Sequence, residues 1–123
     1  MSDNLNQITE SIIGCAYIVS NTLGHGFLEK VYENALSHEL RKNGWCVKQQ
    51  YPIGVKYEGI IVGDYVADML INDKIVLEIK AVAKLEDVHL AQCMNYLKAT
   101  GHQLCLLINF GKPRVELRRV IFG

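Results

Sequence analysis

In the N-terminal part of the chain, apolar residues recur with the three-to-four-residue period of an α-helix. The first run, from Leu5 to Leu23, predicts a helix that Asp3 caps and that ends at Gly24. A second helix is predicted over 26–44, with a glycine at each end. Its apolar side is predicted to consist of Leu28, Val31, Ala35, Leu36 and Leu40.

Beyond Cys46 the pattern changes to short runs of strand-forming residues separated by turn residues. Strands are predicted over 47–57, 64–71, 75–80, 104–109 and 115–121, and a third helix over 86–100. Pro52 indicates an edge strand or a bulge, and the continuous apolar run at 104–108 predicts a strand covered on both faces. The order ααβββαββ is typical of an α/β domain, here residues 1–123, with a central mixed sheet flanked by helices.

Thirteen basic and thirteen acidic residues give a formal net charge of zero. Proteins that hold nucleic acid mainly by neutralising phosphates are usually basic, so any such site here must be a local patch. The sequence has one basic cluster: Lys112, Arg114, Arg118 and Arg119. Because Glu116 is interleaved, this cluster also fits an ordinary solvated strand face. Apolar runs are too short to span a membrane, so we expect a soluble, cytoplasmic protein that does not bind membranes.

Charged residues interrupt two of the predicted apolar strands. Asp68 lies in the second strand, and Glu78 and Lys80 lie in the third, where their two-residue spacing places them on one face. Acids in apolar strands lower stability unless a partner or a cation compensates their charge. One interpretation is a Lys–Glu pair on a solvated sheet face. The other is a phosphodiesterase site, in which two carboxylates bind Mg²⁺ and the lysine orients the attacking water or stabilises transition-state charge.

The second interpretation places a condition on the turn between these strands. Asp68 and Glu78 share a face only if the residue numbers of paired positions in the two strands sum to an even number. A two-residue turn at Asn72 and Asp73 would place the acids on opposite faces of the sheet and exclude the metal site. We therefore predict a three-residue loop that includes Lys74, or a compensating bulge.

Three further polar residues on predicted helices are candidates for the site. Glu29 falls on the apolar arc of the second helix, either as an acid of the site or as a first-turn acid that favours the helix dipole. Gln92 and Tyr96 are one turn apart on the third helix. They are either a partly buried amide and a tyrosine at the core edge, or a pair that holds a substrate phosphate or the neighbouring lysine and water.

These motifs, taken together and in this order, resemble those of known families. The segment Gly26-x-x-Glu29-x-x-Tyr32 matches the signature of the small bacterial and archaeal GxxExxY proteins. The later motifs resemble those of PD-(D/E)XK nucleases in the branch that contains lambda exonuclease: the acid Asp68, then Glu78-Ile79-Lys80, then Gln92-x-x-x-Tyr96. One departure is Ala67, which stands where the superfamily has its namesake proline.

The resemblance implies a restriction-endonuclease-like core and Mg²⁺ or Mn²⁺ as the cofactor. It implies one role for each motif residue: metal ligands Asp68, Glu78, the Ile79 carbonyl and Glu29, catalytic Lys80, and substrate-binding Gln92 and Tyr96. We therefore expect a metal-dependent nuclease that acts on DNA, as a homodimer or with a partner protein. The alternative is a non-catalytic protein of the nuclease fold that binds or assembles with a nucleic-acid-processing partner.

Overall fold

The computed structural model describes residues 4–123. Its elements are α1 (Leu5–Leu23), α2 (Glu29–Lys42), β1 (Val47–Tyr57), β2 (Ile60–Ile71), β3 (Ile75–Lys80), α3 (Asp87–Thr100), β4 (Leu104–Asn109) and β5 (Glu116–Ile121). The predicted order ααβββαββ is confirmed. The expected cap Asp3 lies outside the described residues, and Asn4 caps α1 by accepting a hydrogen bond from the backbone N–H of Gln7. Within residues 4–123, no helix is both long and apolar enough to cross a membrane.

The five strands form one mixed sheet in the order β1-β2-β3-β4-β5. Neighbouring strands are antiparallel except β3 and β4, which are parallel and connected through α3. As predicted, Pro52 lies in an edge strand and β4 is buried on both faces. β2 is longer than predicted, because residues 60–63 extend its hairpin with β1. That hairpin closes at Glu58 and Gly59, which both have positive φ.

Helices cover both faces of the sheet and create two apolar cores. α1 and α2 pack over Ile75, Leu77 and Ile79 of β3. The third helix, α3, packs on the opposite face over Val76. Because side chains alternate along a strand, Glu78 points to the same face as Val76, towards α3.

The apolar side predicted for α2 is partly wrong. The helix begins later than predicted, so Leu28 precedes it and is 82% exposed, and Val31 is also exposed. Tyr32 takes the core position because its ring stacks on Phe110, with 4.7 Å between the ring centroids. The buried face of α2 therefore includes the acid Glu33, next to this tyrosine.

A short polar clamp fixes the end of β3. The Asn109 side chain accepts hydrogen bonds from the backbone N–H groups of Val82 and Gly111, and its amide donates to the Val82 carbonyl. Gly111 lies so close to this segment that a Cβ there would clash with the backbone nitrogen of Val82. Only glycine fits this approach, and the clamp holds the two residues that follow Lys80.

We predict that Gly111→Ala lowers the free energy of unfolding by about 2 kcal/mol or more, because the new methyl group must displace backbone atoms. Urea denaturation followed by circular dichroism measures the change. Gly54→Ala is the matched control, since its Cβ would meet only a side-chain atom at 3.9 Å. Equal midpoints for the two variants would contradict the role assigned to Gly111.

Candidate active site

The loop between β2 and β3 has the length that the metal-site hypothesis requires. Ile71 pairs with Ile75, so three residues, 72–74, form the connection. Continued by one residue, this register aligns Asp68 with Glu78, and each carboxylate accepts a hydrogen bond from the facing strand there. The predicted three-residue loop is therefore confirmed.

At the two acids, side-chain carboxylates replace the backbone hydrogen bonds of the sheet. The Asp68 N–H donates to Glu78 Oε1 at 3.0 Å, and the Ile79 N–H donates to Asp68 Oδ2 at 2.7 Å. The last regular pair between the two strands is Met69 with Leu77, and the described part of β2 before it pairs only with β1. The strands thus diverge at the acids and leave a gap between them.

The environment of this gap disfavours two negative charges. Glu78 is only 4% exposed, and burial together with the charge of Asp68 raises its pKa to about 8. Burial also raises the pKa of the half-buried Asp68, aided by the charges of Glu33 and Glu29. The hydrogen bond from the Ile79 N–H and the charge of Lys80 oppose the rise for Asp68. The pair therefore favours either protonation of one carboxyl group or a bound cation.

Lys80 and the Ile79 backbone complete the neighbourhood of the acids. Lys80 is half-buried on the same strand face as Glu78, and its charge lowers the pKa of both acids. Since the Ile79 N–H points to Asp68, its carbonyl points to the same side of the strand, towards the gap. The interpretation as a Lys–Glu pair on a solvated face is wrong, because Glu78 is buried and no ion pair within residues 4–123 joins it to Lys80.

The segment Gly26-x-x-Glu29-x-x-Tyr32 builds the corner from which α2 starts. Gly26 has a φ of 115°, which favours glycine. The buried Tyr32 hydroxyl donates to the Gly24 carbonyl at 2.7 Å and accepts from the Phe27 N–H at 3.2 Å. These bonds fix the corner, and Glu29 follows it as the exposed first residue of α2. Its charge adds to the rise in the pKa of both Asp68 and Glu78.

Sequence reasoning missed two polar residues beside the acids, Glu33 and Gln50. Glu33 is 3% exposed and accepts hydrogen bonds from the Gln49 and Gln50 side chains and from Lys30. Gln50 occupies the β1 position opposite Asp68, has a φ of 54° and is absent from the regular pairing. The sheet is therefore irregular on both sides of Asp68, as is common at functional sites. The one-turn spacing of Glu29 and Glu33 was the available signal, whereas nothing in the sequence indicates the conformation of Gln50.

Gln92 and Tyr96 lie on α3 on the same side of the sheet as Glu78. The Gln92 amide donates to the Tyr96 hydroxyl at 2.8 Å, and this hydroxyl lies 3.4 Å from the Val66 carbonyl. Burial and the charge of Glu78 raise the pKa of Tyr96 to about 12. Tyr96 therefore stays protonated and links α3 to β2 two residues before Asp68.

The donor set fits a hard divalent cation. The backbone hydrogen bonds use one oxygen of each carboxylate, so Asp68 Oδ1 and Glu78 Oε2 are the oxygens that remain as ligands. With the Ile79 carbonyl they form an all-oxygen set, which suits Mg²⁺ or Mn²⁺. A cation here would also offset the repulsion between the acids. Among residues 4–123 no three His, Cys, Asp or Glu side chains form a preassembled metal cluster. Glu29 therefore does not form a three-carboxylate cluster with Asp68 and Glu78 in this structure.

We predict that the metal-free protein loses stability as pH rises from about 5 to 8. The pKa of Glu78 is raised from 4.5 to about 8 by folding, so the folded state binds a proton that the unfolded state lacks in this range. The slope is at most about 1.4 kcal/mol per pH unit from this group. Urea unfolding in EDTA at several pH values measures it. Glu78→Gln should reduce the slope of unfolding free energy against pH, whereas Glu10→Gln, at an exposed position, should leave it unchanged. An unchanged slope in Glu78→Gln would refute the assignment of the pH dependence to Glu78.

Comparisons with known proteins show the family and the fold of the chain. Residues 6–120 match the model of the PD-(D/E)XK nuclease superfamily. The fold is similar to an alkaline exonuclease, LHK-Exo, from Laribacter hongkongensis, with a TM-score of 0.58, 16% identity, and coverage of 100% of this chain and 73% of the exonuclease. It is also similar to the structure of SSO0001, with a TM-score of 0.59, 20% identity and coverage of 94% of this chain and 58% of that one. No curated protein sequence matches significantly. The match over nearly the whole chain shows that the protein belongs to the PD-(D/E)XK nuclease superfamily.

Proposed function

We propose that this chain is a Mg²⁺- or Mn²⁺-dependent nuclease that hydrolyses phosphodiester bonds in DNA. The observation that supports it most is the acid pair of Asp68 and Glu78, buried where β2 and β3 diverge, with Lys80 on the same strand face. A buried acid pair lowers the stability of the protein without a cation, and membership of a nuclease superfamily supplies the class of reaction.

Each residue of the site has a chemical role in this proposal. A bound cation would polarise the phosphate and lower the pKa of a water molecule. Asp68, Glu78 and the Ile79 carbonyl would hold it in the gap, since each carboxylate reaches across to the facing strand and leaves one oxygen free. Lys80 would orient the attacking water and stabilise the negative charge that develops on the phosphate. Glu29, whose charge already reaches both acids, would add a further ligand.

The remaining motif residues would support the substrate. In this proposal the second amide N–H of Gln92 contacts a phosphate on the α3 side of Glu78, and the Tyr96 hydroxyl positions Gln92 by accepting its first N–H. The structural roles of Gly26 and Tyr32 support assignment to the GxxExxY group, because both residues fix the corner that presents Glu29. A second copy or a partner protein would extend the small surface available to a nucleic acid.

Cleavage assays with the site variants test the proposal. Asp68→Asn, Glu78→Gln and Lys80→Met should each lower cleavage by about 100-fold or more, because each removes a ligand or a charge at the reacting phosphate. Linear, circular, single-stranded and branched DNA are incubated with Mg²⁺ or Mn²⁺, and products are resolved on gels. Asp64→Asn is the matched control, an exposed acid on the same strand as Asp68, and should cleave normally. Full activity of Asp68→Asn would contradict the proposal.

Thermal unfolding tests the metal site independently of turnover. Mg²⁺ or Mn²⁺ should raise the melting temperature, because a ligand that binds only the folded state stabilises it by about 2.7 kcal/mol at 100 times its Kd. Asp68→Ala should remove this response, and Asp64→Asn should keep it. A metal response in Asp68→Ala equal to that of the unchanged protein would place the cation elsewhere.

The competing function is a non-catalytic protein of the nuclease fold that assembles with a nucleic-acid-processing partner. One observation favours it: the tip of the β1–β2 hairpin exposes a group of large apolar side chains, Tyr57, Ile60, Ile61 and Val62. A metal response in thermal unfolding with no cleavage of any DNA or RNA would support this function over the nuclease.

A further inference from the structure

A groove of about 810 Å³ lies between α3 and the β1–β2 hairpin. Gln92 and Tyr96 of α3 line it, and the Tyr96 hydroxyl is 3.4 Å from the Val66 carbonyl of β2. Because Val66 lies two residues before Asp68 on β2, this hydrogen bond brings the wall of the groove next to the strand segment that carries the acid. The groove therefore opens beside the proposed site.

The side chains of the groove suit a polyanion. Lys56 from the hairpin and Lys98 from α3 line it, together with His89, and none of the described lining residues is acidic. The basic cluster predicted from the sequence is different, because Glu116 forms ion pairs with Lys112 and Arg118. The groove is thus a basic surface whose charge no lining acid compensates, on a chain with no net charge.

An aromatic ring forms part of the same wall. Tyr65 of β2 is 52% exposed, and its ring centroid lies 6.2 Å from that of the buried Tyr96. Exposed aromatic rings beside basic residues provide stacking surfaces for unpaired bases. Paired bases in a duplex are stacked on one another and do not offer their faces to a side chain, so the ring favours a single strand.

We propose that this groove binds a single-stranded DNA segment of the substrate, with a base stacked on Tyr65 and phosphates near Lys56 and Lys98. The proposal rests on the proposed function and specifies its substrate: DNA that is single-stranded at least where it approaches the acid pair. The basic lining and the exposed ring that support it are observed independently of the acids.

Binding without cleavage tests the ring. Fluorescence anisotropy with a labelled single-stranded oligothymidylate is measured in EDTA, and a duplex of equal length serves as the comparison. We expect tighter binding of the single strand, a loss of roughly 5-fold or more in Tyr65→Ala, and recovery in Tyr65→Phe, which keeps the ring. Tyr57→Ala is the matched control, an exposed tyrosine of the same hairpin outside the groove lining. Equal losses in Tyr57→Ala and Tyr65→Ala would overturn the proposal, as would tighter binding of the duplex.

The salt dependence of the same binding tests the lysines. Lys56→Gln and Lys98→Gln should each lower the slope of log K against log salt by roughly 0.7, the value for one phosphate contact on a single strand. Lys42→Gln, at the end of α2 and outside the groove lining, should leave the slope unchanged. Unchanged slopes in both groove variants would overturn the assignment of phosphate contacts.

The groove and the nuclease proposals fail in different ways. If the protein binds the oligothymidylate through Tyr65 but never cleaves DNA, the groove proposal stands and the nuclease proposal fails. If the protein cleaves DNA and Tyr65→Ala changes neither binding nor the preference between single-stranded and duplex substrates, the groove proposal fails alone.

Discussion

The three-residue loop between β2 and β3 determines which side chains of these strands share a face, and the candidate site depends on that register. With Ile71 paired to Ile75, Asp68 and Glu78 come together where β2 and β3 diverge, while the alternate residues of β3 fill the core beneath α1 and α2. A shift of one residue would exchange these two sets. The shift would place the acids in the core beneath α1 and α2 and apolar side chains at the gap. The core therefore enforces the geometry of the site, because only one register buries the apolar set.

The same arrangement makes the site a weak point of the fold. At the acids, carboxylates take the place of sheet hydrogen bonds, Gln50 adopts a positive φ, and Glu78 is buried beside another acid. The positive φ of Gln50 is strained, and the buried acid pair lowers stability when no cation is present. The surrounding structure opposes the strain: Asn109 fixes the segment after β3, and Glu33 holds the Gln50 side chain. The site is thus preorganised by neighbours that contribute no chemistry of their own.

Sequence patterns predicted the element order and the mixed sheet, because each depends on local periodicity. The loop length was predicted differently, from the requirement that Asp68 and Glu78 come together, which the turn residues alone did not indicate. The patterns were wrong about Leu28 and Val31, because hydrophobicity alone did not show that Tyr32 would stack on Phe110 and rotate the buried face of α2. Glu33 was missed for a related reason, since an acid on a helix normally indicates an exposed face. Its three hydrogen-bond donors come from two separate elements, which only the folded chain brings together.

The net charge of zero argues against nucleic-acid binding when only the sequence is considered. The fold shows that the local distribution of charge matters more than the net charge. At physiological ionic strength, exposed charges interact strongly only within roughly 8 Å, so a bound phosphate responds to its neighbours rather than to the whole chain. Lys56 and Lys98 lie far apart in the sequence, yet they line one groove without an acid among its described residues. The basic cluster near the C-terminus, whose residues are close together in the sequence, instead forms ion pairs with Glu116 that compensate its positive charge. Net charge therefore limits long-range attraction of a polyanion to this protein, but it does not exclude a short basic groove beside the acid pair.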